Sequence, residues 1–189
     1  MLGELERQAI HRLWNRKLEQ DAAQLPPSKR HRNLQPASAE FISSLASGLN
    51  AKRILEIGGS SGISTIALAA AARATGGRLI SIEIEPERQA ESRQTIEALG
   101  LSDCVEFILG DAATVLPSID GVSVVLVDCE KEDYVRFFDM LGLSTGAVVV
   151  ADNILSHDLS AYVRHVRGIP GVESLTLPIG HGLEVTRFL

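Results

Sequence analysis

The sequence predicts a doubly wound α/β fold, in which helices cover both faces of a mostly parallel β-sheet. Helix-like and strand-like patterns alternate from residue 39 onward, and this alternation is typical of chains built from βαβ units. Four apolar runs also lead into an acidic residue, and these residues are Glu83, Asp111, Asp128 and Asp152. Because the carboxyl ends of parallel strands share one edge of a sheet, we expect these carboxylates to meet in one crevice.

Length and composition favour one globular domain. With 189 residues and 45% hydrophobic content, the chain is long enough to bury a full core. We expect residues 1–38 to form an N-terminal helix and a loop that is a candidate lid. Residues 39–189 are expected to form the core that carries the binding and catalytic residues.

Charge and cysteine content exclude several classes of protein. The net charge of -6 argues against a generic nucleic-acid surface. Cys104 and Cys129 match neither a zinc motif nor a disulfide scaffold. The N-terminus lacks the apolar core of a signal peptide, and no apolar run approaches the roughly 20 residues of a membrane helix. We therefore expect a cytoplasmic protein without a nucleic-acid or membrane partner.

The first 38 residues contain one helical pattern and one loop pattern. Leu2, Leu5, Ala9, Leu13 and Leu18 recur at helical spacing, which predicts an amphipathic helix packed on the core or on a second subunit. The following segment, QLPPSKRHRNLQPAS, combines three prolines with a basic run and predicts an exposed loop. This loop is either a solvated linker or a lid that contacts an acidic substrate.

The remaining elements are predicted from hydrophobic periodicity and turn residues. Helices are expected at Glu40–Leu49, Ile63–Arg73, Glu87–Leu99 and Leu159–Arg167. Parallel strands are expected at Arg53–Ile57, Arg78–Ile84, Val105–Leu109, Val122–Val127 and Ala147–Ala151. Two final strands, Val172–Leu177 and Glu184–Phe188, flank the turn sequence PIGHG and predict an antiparallel hairpin.

A glycine turn, defined here as residues 58–62 (GGSSG), follows the first predicted strand. Gly58, Gly59 and Gly62 allow a sharp strand-to-helix connection whose backbone amides can face an anionic group. Glu83 ends the next strand about 20 residues later, where a carboxylate can accept hydrogen bonds from ribose hydroxyls. The dinucleotide pattern GxGxxG is not matched, so an NAD enzyme is disfavoured.

Five motifs occur in the order and spacing of one known family: LEIGGSSGIST, SIEIEP, GDA, VDCEKEDY and VVVADN. Together they resemble the metal-dependent, S-adenosylmethionine-dependent O-methyltransferases that include catechol and caffeoyl-CoA O-methyltransferases. The resemblance covers roughly residues 51–189 and depends on the joint pattern. It implies the seven-stranded, Rossmann-like methyltransferase fold with an antiparallel final strand, and it allows for a homodimer, since family members are often dimers.

The resemblance also implies which residues bind S-adenosylmethionine. Gly58, Ser60 and Ser64 would lie against the methionine portion of this cofactor, and Glu83 would hold its ribose. Asp111 with Ala112 would border the adenine. Further cofactor-binding positions on this basis are Glu56, Gly62, Ile84 and Asp128.

Asp128, Asp152 and Asn153 are candidate metal ligands. Two carboxylates and one amide oxygen form an all-oxygen set, which suits Mg²⁺, Mn²⁺ or Ca²⁺ better than zinc. The resembling family holds its ion on the positions that match these three residues. The alternative is a structural role, because an Asp after a buried strand often caps a helix or forms a turn.

Lys131 is the candidate general base, and Asp128 and Lys131 are the predicted catalytic residues. Lys131 lies three residues beyond Asp128, so one short turn aims both side chains at the same point. An ammonium is disfavoured beside a divalent cation and away from water. The expected reaction is a direct displacement, in which a hydroxyl of a small aromatic vicinal diol loses its proton to Lys131 and attacks the sulfonium methyl group.

Two departures from the family pattern bear on the substrate. The segment LQPASAEFISSL lacks the acidic-Glu-Gly-Gln stretch of plant members, and PIGHGLEVT carries His181 where the family has an aspartate. The carboxylate that orients catechol in the animal enzyme has only Glu184 as a candidate counterpart.

Three other functions stay open on the sequence. One is a metal-independent methyltransferase acting on another small acceptor, in which the candidate ligands serve only the fold. The second is a non-catalytic module that binds S-adenosylmethionine or dimerises. The third is the NAD-dependent oxidoreductase that the missing glycines disfavour.

Overall fold

The computed structural model describes residues 2–26 and 29–189, and within these ranges seven strands form one sheet. The strand order is β3-β2-β1-β4-β5-β7-β6. The strands are β1 (Arg53–Ile57), β2 (Arg78–Glu83), β3 (Val105–Leu109), β4 (Val122–Val127), β5 (Leu143–Ala151), β6 (Val172–Leu177) and β7 (Leu183–Phe188). Strands β1 to β5 pair in parallel, whereas β7 pairs antiparallel with both β5 and β6. The predicted doubly wound sheet and its C-terminal antiparallel hairpin are therefore confirmed.

Seven α-helices lie within the described ranges, namely α1 (Glu4–Ala22), α2 (Pro36–Gly48), α3 (Ile63–Thr75), α4 (Pro86–Ala98), α5 (Ala112–Val115), α6 (Tyr134–Asp139) and α7 (Ser160–Arg167). Helix α2 begins at Pro36 instead of the predicted Glu40, because a proline fits the first helical turn, where its missing N–H is not needed. Strand β5 begins at Leu143, four residues before its predicted start. Helices α5 and α6 were not predicted, since one or two turns are too short to show a repeat.

The strands alternate their side chains between two apolar cores, one on each face of the sheet. Ile54, Val124 and Val150 belong to the core that α1 to α4 cover. Leu55 and Val125 belong to the core covered by α5 to α7. Strands buried on both faces read as nearly continuous apolar runs, which explains why the central strands were easy to predict.

Helix α1 packs on the core through Ala9, Ile10 and Leu13, which are all buried in the same cluster as α3. Two members of the predicted apolar stripe face solvent instead, with Leu5 67% and Leu18 47% exposed. The buried stripe is therefore narrower than predicted, and it packs on the core of this same chain. In the loop that follows, the predicted segment includes Pro27 and Ser28, which lie outside the described residues. No helix in the described part of the chain is long and apolar enough to cross a membrane.

The chain reverses direction across the sheet between β1 and β4. From β1 it proceeds outward to β2 and β3, and it then returns to the other side of β1 with β4. This reversal opens a crevice at the carboxyl ends of β1 and β4, which is where doubly wound sheets bind their ligands. Gly58 directly follows β1 and Asp128 directly follows β4, so the fold places both at this crevice.

Candidate active site

A cavity of about 610 Å³ opens at the carboxyl edge of the sheet, and its size suits a small-molecule ligand. The four carboxylates that follow the apolar runs all line it, as predicted. The predicted site residues in its wall are Gly58, Ser60, Glu83, Ile84, Asp111, Ala112, Asp128, Lys131, Asp152 and Asn153. The topology thus brings residues from five strand ends, those of β1 to β5, into one site.

The glycine turn packs tightly against the end of β4. Gly58 has a φ of 93°, and a Cβ at this position would collide with the backbone carbonyl of Asp128. Ser60 is also in the left-handed region, with a φ of 46°, and its buried hydroxyl has no hydrogen-bond partner among the described residues. A buried hydroxyl without a partner is costly, so it marks a place where a polar ligand fits.

Glu83 connects the glycine turn to the end of β2. Its Oε2 accepts a hydrogen bond from the Ser60 N–H at 2.6 Å, and its Oε1 accepts from the N–H groups of Ile84 and Glu85 at 2.9 and 3.0 Å. The side chain is buried but still forms part of the cavity wall. These three bonds fix the carboxylate at the position that the sequence assigned to a ribose contact.

Three predicted cofactor residues, Glu56, Gly62 and Ser64, lie behind the wall and are not among the described residues that line the cavity. The Glu56 carboxylate is fully buried and accepts hydrogen bonds from Thr65 and Ser81 at 2.7 and 2.5 Å. Burial raises its pKa, and the charge of Glu83 acts in the same direction. The family resemblance implied that Glu56 binds the cofactor, but the structure places its carboxylate outside the cavity lining, bonded to Thr65 and Ser81.

The candidate metal ligands meet at the ends of β4 and β5. The register pairs Val127 with Ala151, so Asp128 and Asp152 leave adjacent strands side by side. Asn153, with a φ of 69°, directs its amide back so that Nδ2 donates to Asp128 Oδ1 at 2.8 Å. Asn tolerates this left-handed conformation better than most residues, which makes the close return possible.

The two neighbouring carboxylates of Asp128 and Asp152 favour a bound cation. Burial, together with the neighbouring charge of Asp128, raises the pKa of Asp152 to about 7. Burial likewise raises the pKa of Asp128. Asp152 Oδ1 is buried and has no hydrogen-bond partner within the described ranges. Two buried carboxylates, one of them partly unsatisfied, are stabilised by a positive charge between them.

The donor set restricts the kind of metal. Within the described residues there is no group of three or more His, Cys, Asp or Glu side chains that could hold an ion, so two carboxylates need the amide oxygen of Asn153 as a third ligand. That amide now presents its nitrogen to Asp128, and turning it over would present its oxygen. An all-oxygen set of this kind suits Mg²⁺, Mn²⁺ or Ca²⁺.

Lys131 lies next to the candidate ligands, with its side chain 25% exposed. Its Nζ donates to the backbone oxygen of Cys129 at 2.9 Å and to the Tyr134 hydroxyl at 3.1 Å. It also lies 3.4 Å from Asp128 Oδ1. The predicted convergence of Lys131 and Asp128 is therefore present in the structure. Burial raises the pKa of the Cys129 thiol, which fits a wall residue and not a nucleophile.

The N-terminal segment contributes a wall that the sequence did not assign. Lys17 and Asp21 of α1 and residues 30–33 of the loop line the cavity. Asn33 is buried and exchanges two hydrogen bonds with Ser61 of the glycine turn, at 2.8 and 3.0 Å. Arg32 pairs with Glu130, which lies next to Lys131. The basic run of the loop was the sequence feature that suggested a lid as an alternative to a solvated linker, and the structure places most of this run in the cavity wall.

The C-terminal hairpin turn contributes His181 to the cavity, whereas Glu184 does not line it. Burial lowers the pKa of His181, and the charge of Lys17 acts in the same direction. Glu184 is fully buried and accepts hydrogen bonds from Arg167, Ser174 and Thr176. The prediction that Glu184 orients a substrate is therefore wrong, because its carboxylate accepts hydrogen bonds from side chains of α7 and β6 and lies outside the cavity wall.

His31 is a half-buried residue in this wall. Burial lowers its pKa to about 4, and the charges of Arg16 and Arg88 act in the same direction. Its Nδ1 accepts from Arg16 at 3.3 Å, and its Nε2 lies 3.2 Å from Glu91 Oε2. In the unfolded chain the imidazole binds a proton below about pH 6.5. The unfolded state thus binds more protons between these two pKa values, and His31 destabilises the fold as the pH falls through this window.

The expected result concerns the variant His31→Gln, which cannot take up a proton. Between about pH 7 and about pH 5, the free energy of unfolding should fall more in the wild type than in the variant. Urea unfolding of both proteins at the two pH values measures this difference. An equal loss of stability in both proteins on acidification would show that His31 does not titrate with folding.

Residues 23–188 match the family described as "Protein of unknown function (DUF1442)". The chain belongs to this family. Most of the DUF1442 match consists of the sheet and the cavity described above, and it also includes the loop of residues 29–35.

Curated relatives of this DUF1442 protein are O-methyltransferases. Catechol O-methyltransferase of Mycobacterium tuberculosis (strain ATCC 25618 / H37Rv) is 34% identical over 139 residues, which cover 71% of this chain and 61% of the relative. Caffeoyl-CoA O-methyltransferase 2 of Petunia hybrida is 28% identical over 187 residues, covering 82% of this chain and 77% of the relative. The match thus spans less than two thirds of the length of the first of these relatives. Both confirm the family resemblance that the five motifs indicated.

Solved structures share the fold of this DUF1442 protein. Cofactor-bound Rv0187 from MTB aligns with a TM-score of 0.78 over 93% of this chain and 89% of that chain, at 25% identity. An O-methyltransferase from Bacillus cereus in complex with SAH aligns with a TM-score of 0.81 over 96% of this chain and 91% of that chain, at 22% identity. These likenesses confirm the Rossmann-like methyltransferase fold.

Proposed function

We propose that this protein is an S-adenosylmethionine-dependent O-methyltransferase that uses a divalent cation and acts on a small aromatic vicinal diol. The observation that carries the proposal is that one cavity contains two complementary sets of residues. The glycine turn and Glu83 form one side, and the metal-ligand candidates with Lys131 form the other. The catechol and caffeoyl-CoA O-methyltransferases among the relatives support the same reaction class.

On the cofactor side, the chain supplies polar groups that fit a nucleoside with an amino-acid tail. The Ser60 hydroxyl lacks a partner within residues 2–26 and 29–189 and fits a polar group of the methionine portion. Glu83 Oε2 accepts one N–H and keeps acceptor capacity for a ribose hydroxyl. S-adenosylmethionine, when bound, supplies an electrophilic methyl group on its sulfonium sulfur.

On the acceptor side, Asp128, Asp152 and Asn153 would hold the cation. The cation supplies Lewis acidity, which lowers the cost of ionising a phenol and fixes its orientation. Lys131 would accept the proton of one acceptor hydroxyl. The electron pair of that oxygen then forms the new bond to the methyl carbon, and the pair of the broken C–S bond stays on sulfur. Much of the rate enhancement would come from positioning, so no covalent enzyme intermediate is needed.

The experiment that tests the proposal is transfer of a labelled methyl group from S-adenosylmethionine to a panel of catechols and caffeoyl compounds, with Mg²⁺ and with excess chelator. We expect methylated product with Mg²⁺ and none with chelator. Transfer that survives the chelator would favour a metal-independent methyltransferase. Tight cofactor binding without transfer to any acceptor would favour a non-catalytic module.

The variant Lys131→Ala tests the general base. We expect the rate of methyl transfer to fall by about 100-fold near pH 7, because general-base catalysis contributes at least this factor. The deficit should shrink as the pH approaches about 10, where a phenol ionises without help. Rates measured from neutral to alkaline pH give this profile.

The control for this experiment is Lys52→Ala, which removes a lysine just ahead of β1, at the opposite edge of the sheet. Its rate should follow that of the wild type at each pH. A deficit of Lys131→Ala that stays constant across the pH range would contradict the role of Lys131 as a base.

A further inference from the structure

The hydroxyl of Tyr134 lies between the candidate base and the strand that carries the metal-ligand candidates. Lys131 Nζ donates to it at 3.1 Å, and the hydroxyl donates to the backbone oxygen of Asp152 at 3.1 Å. Tyr134 is fully buried, and it is not one of the described residues that line the cavity. Its hydroxyl therefore contacts the base from behind, away from the space that a substrate would occupy.

The local backbone explains why these groups meet. Residues 131–133 form one 3₁₀ turn that leads directly into α6 at Tyr134. Side chains three residues apart eclipse each other in such a turn, so the Lys131 and Tyr134 side chains lie on the same side. The Tyr134 ring is fixed by an edge-on contact with Tyr162, with ring centroids 5.5 Å apart.

The direction of each hydrogen bond made by the Tyr134 hydroxyl follows from its number of protons. A tyrosine hydroxyl has one proton, and here that proton is donated to the carbonyl of Asp152. Its remaining lone pairs can only accept, so toward Lys131 the hydroxyl is an acceptor. The carbonyl of Cys129 is the second acceptor close to Lys131, at 2.9 Å.

These two acceptors give the amine a direction. Lys131 has three N–H donors. With two of them held by Cys129 O and the Tyr134 hydroxyl, the third is directed to Asp128 Oδ1 at 3.4 Å. Asp128 is part of the cavity wall, so this is the side from which an acceptor hydroxyl would approach.

We propose that Tyr134 is a positioning residue for methyl transfer, which holds Lys131 Nζ beside Asp128 on the side where the acceptor hydroxyl would bind. The inference rests on the proposed function, because it assumes Lys131 as the base. Without the hydroxyl, one N–H of Lys131 loses its acceptor and the side chain can rotate away from the reacting geometry. Such a loss of orientation affects the chemical step and not the binding of either substrate.

The test is Tyr134→Phe, which removes the hydroxyl and keeps the buried ring together with its contact to the Lys131 ammonium. We expect kcat for a catechol acceptor to fall about tenfold, with KM for the acceptor and Kd for S-adenosylmethionine unchanged. The matched control is Tyr162→Phe, which removes another buried tyrosine hydroxyl from the same aromatic cluster and should keep kcat. In the Lys131→Ala background, Tyr134→Phe should have no further effect on kcat.

A second readout does not depend on activity. Crystal structures of the wild type and of Tyr134→Phe should show Lys131 Nζ in one position in the first and displaced from the Cys129 carbonyl in the second. A variant that keeps both kcat and the Lys131 position overturns the inference, as does an equal loss of kcat in Tyr162→Phe. Absence of methyl transfer by the wild type counts against the proposed function instead, and the Lys131 position then decides the inference alone.

Discussion

Replacement of Asp152 by Ala is expected to abolish cation-dependent methyl transfer, with kcat falling by at least about 100-fold. The variant loses one of only two carboxylates in the candidate ligand set, and its Oδ1 is the buried oxygen that lacks a partner in the described structure. The affinity for S-adenosylmethionine should change little, because Ser60 and Glu83 lie on the other side of the cavity. Labelled methyl transfer and calorimetric titration with the cofactor measure the two quantities.

The isosteric variant Asp152→Asn separates loss of metal from loss of fold. It removes one of two like charges that destabilise each other without a cation, so the metal-free variant should resist heat at least as well as the metal-free wild type. Added Mg²⁺ should raise the Tm of the wild type but not that of the variant. Asp120→Ala, which removes an exposed carboxylate before β4, is the control and should respond like the wild type. Unchanged turnover in Asp152→Ala would remove the metal from the proposal.

Replacement of Glu83 by Gln is expected to weaken S-adenosylmethionine binding by about 10-fold to 100-fold. A carboxylate that accepts several N–H groups contributes about 1.5 to 3 kcal/mol for each charged hydrogen bond that it makes. Gln keeps the size of Glu83 but turns an NH₂ group toward one of the backbone N–H groups, which disturbs Ser60 or Ile84 as well as the ribose contact. Calorimetric titration with S-adenosylmethionine gives the change in Kd.

Glu85→Gln is the matched control, because this carboxylate lies two residues further along, is exposed and should leave the Kd unchanged. At saturating S-adenosylmethionine, Glu83→Gln should recover most of the wild-type kcat, since the base and the metal-ligand candidates are intact. A parallel titration with NAD should give no binding to the wild type or to Glu83→Gln. Normal cofactor affinity in Glu83→Gln would show that this carboxylate serves only the glycine turn.

The sheet could be predicted because buried strands leave a simple pattern, a short run of apolar residues, in the sequence. Strands buried on both faces are mostly apolar, so β1, β2, β4 and the second half of β5 produced runs that were visible in the sequence. Helices α5 and α6 were missed because they contain too few residues for a periodic signal, and the start of α2 was misplaced because Pro36 also suits a loop.

The candidate site was predictable wherever the backbone alone decides the position. A residue that directly follows a parallel strand must lie at the carboxyl edge, which placed Glu83, Asp111, Asp128 and Asp152 correctly. Positions inside a strand or beyond a turn were harder to assign. The Glu56 carboxylate accepts a hydrogen bond from Ser81 and the Glu184 carboxylate accepts one from Arg167, and in both cases the partner is distant in the sequence.

The sequence by itself determined the fold class, the carboxyl edge as the site and the close placement of Lys131 and Asp128. The alternation of strands and helices, the residues at strand ends and a three-residue spacing are all properties of the local chain. Only the tertiary structure decided that residues 30–33 close one wall of the cavity and that the Tyr134 hydroxyl bridges Lys131 and Asp152. These arrangements depend on hydrogen bonds between residues that are distant in the sequence, such as Asn33 with Ser61 and Tyr134 with Asp152, and the distance and direction of such bonds are set by the packing of the elements.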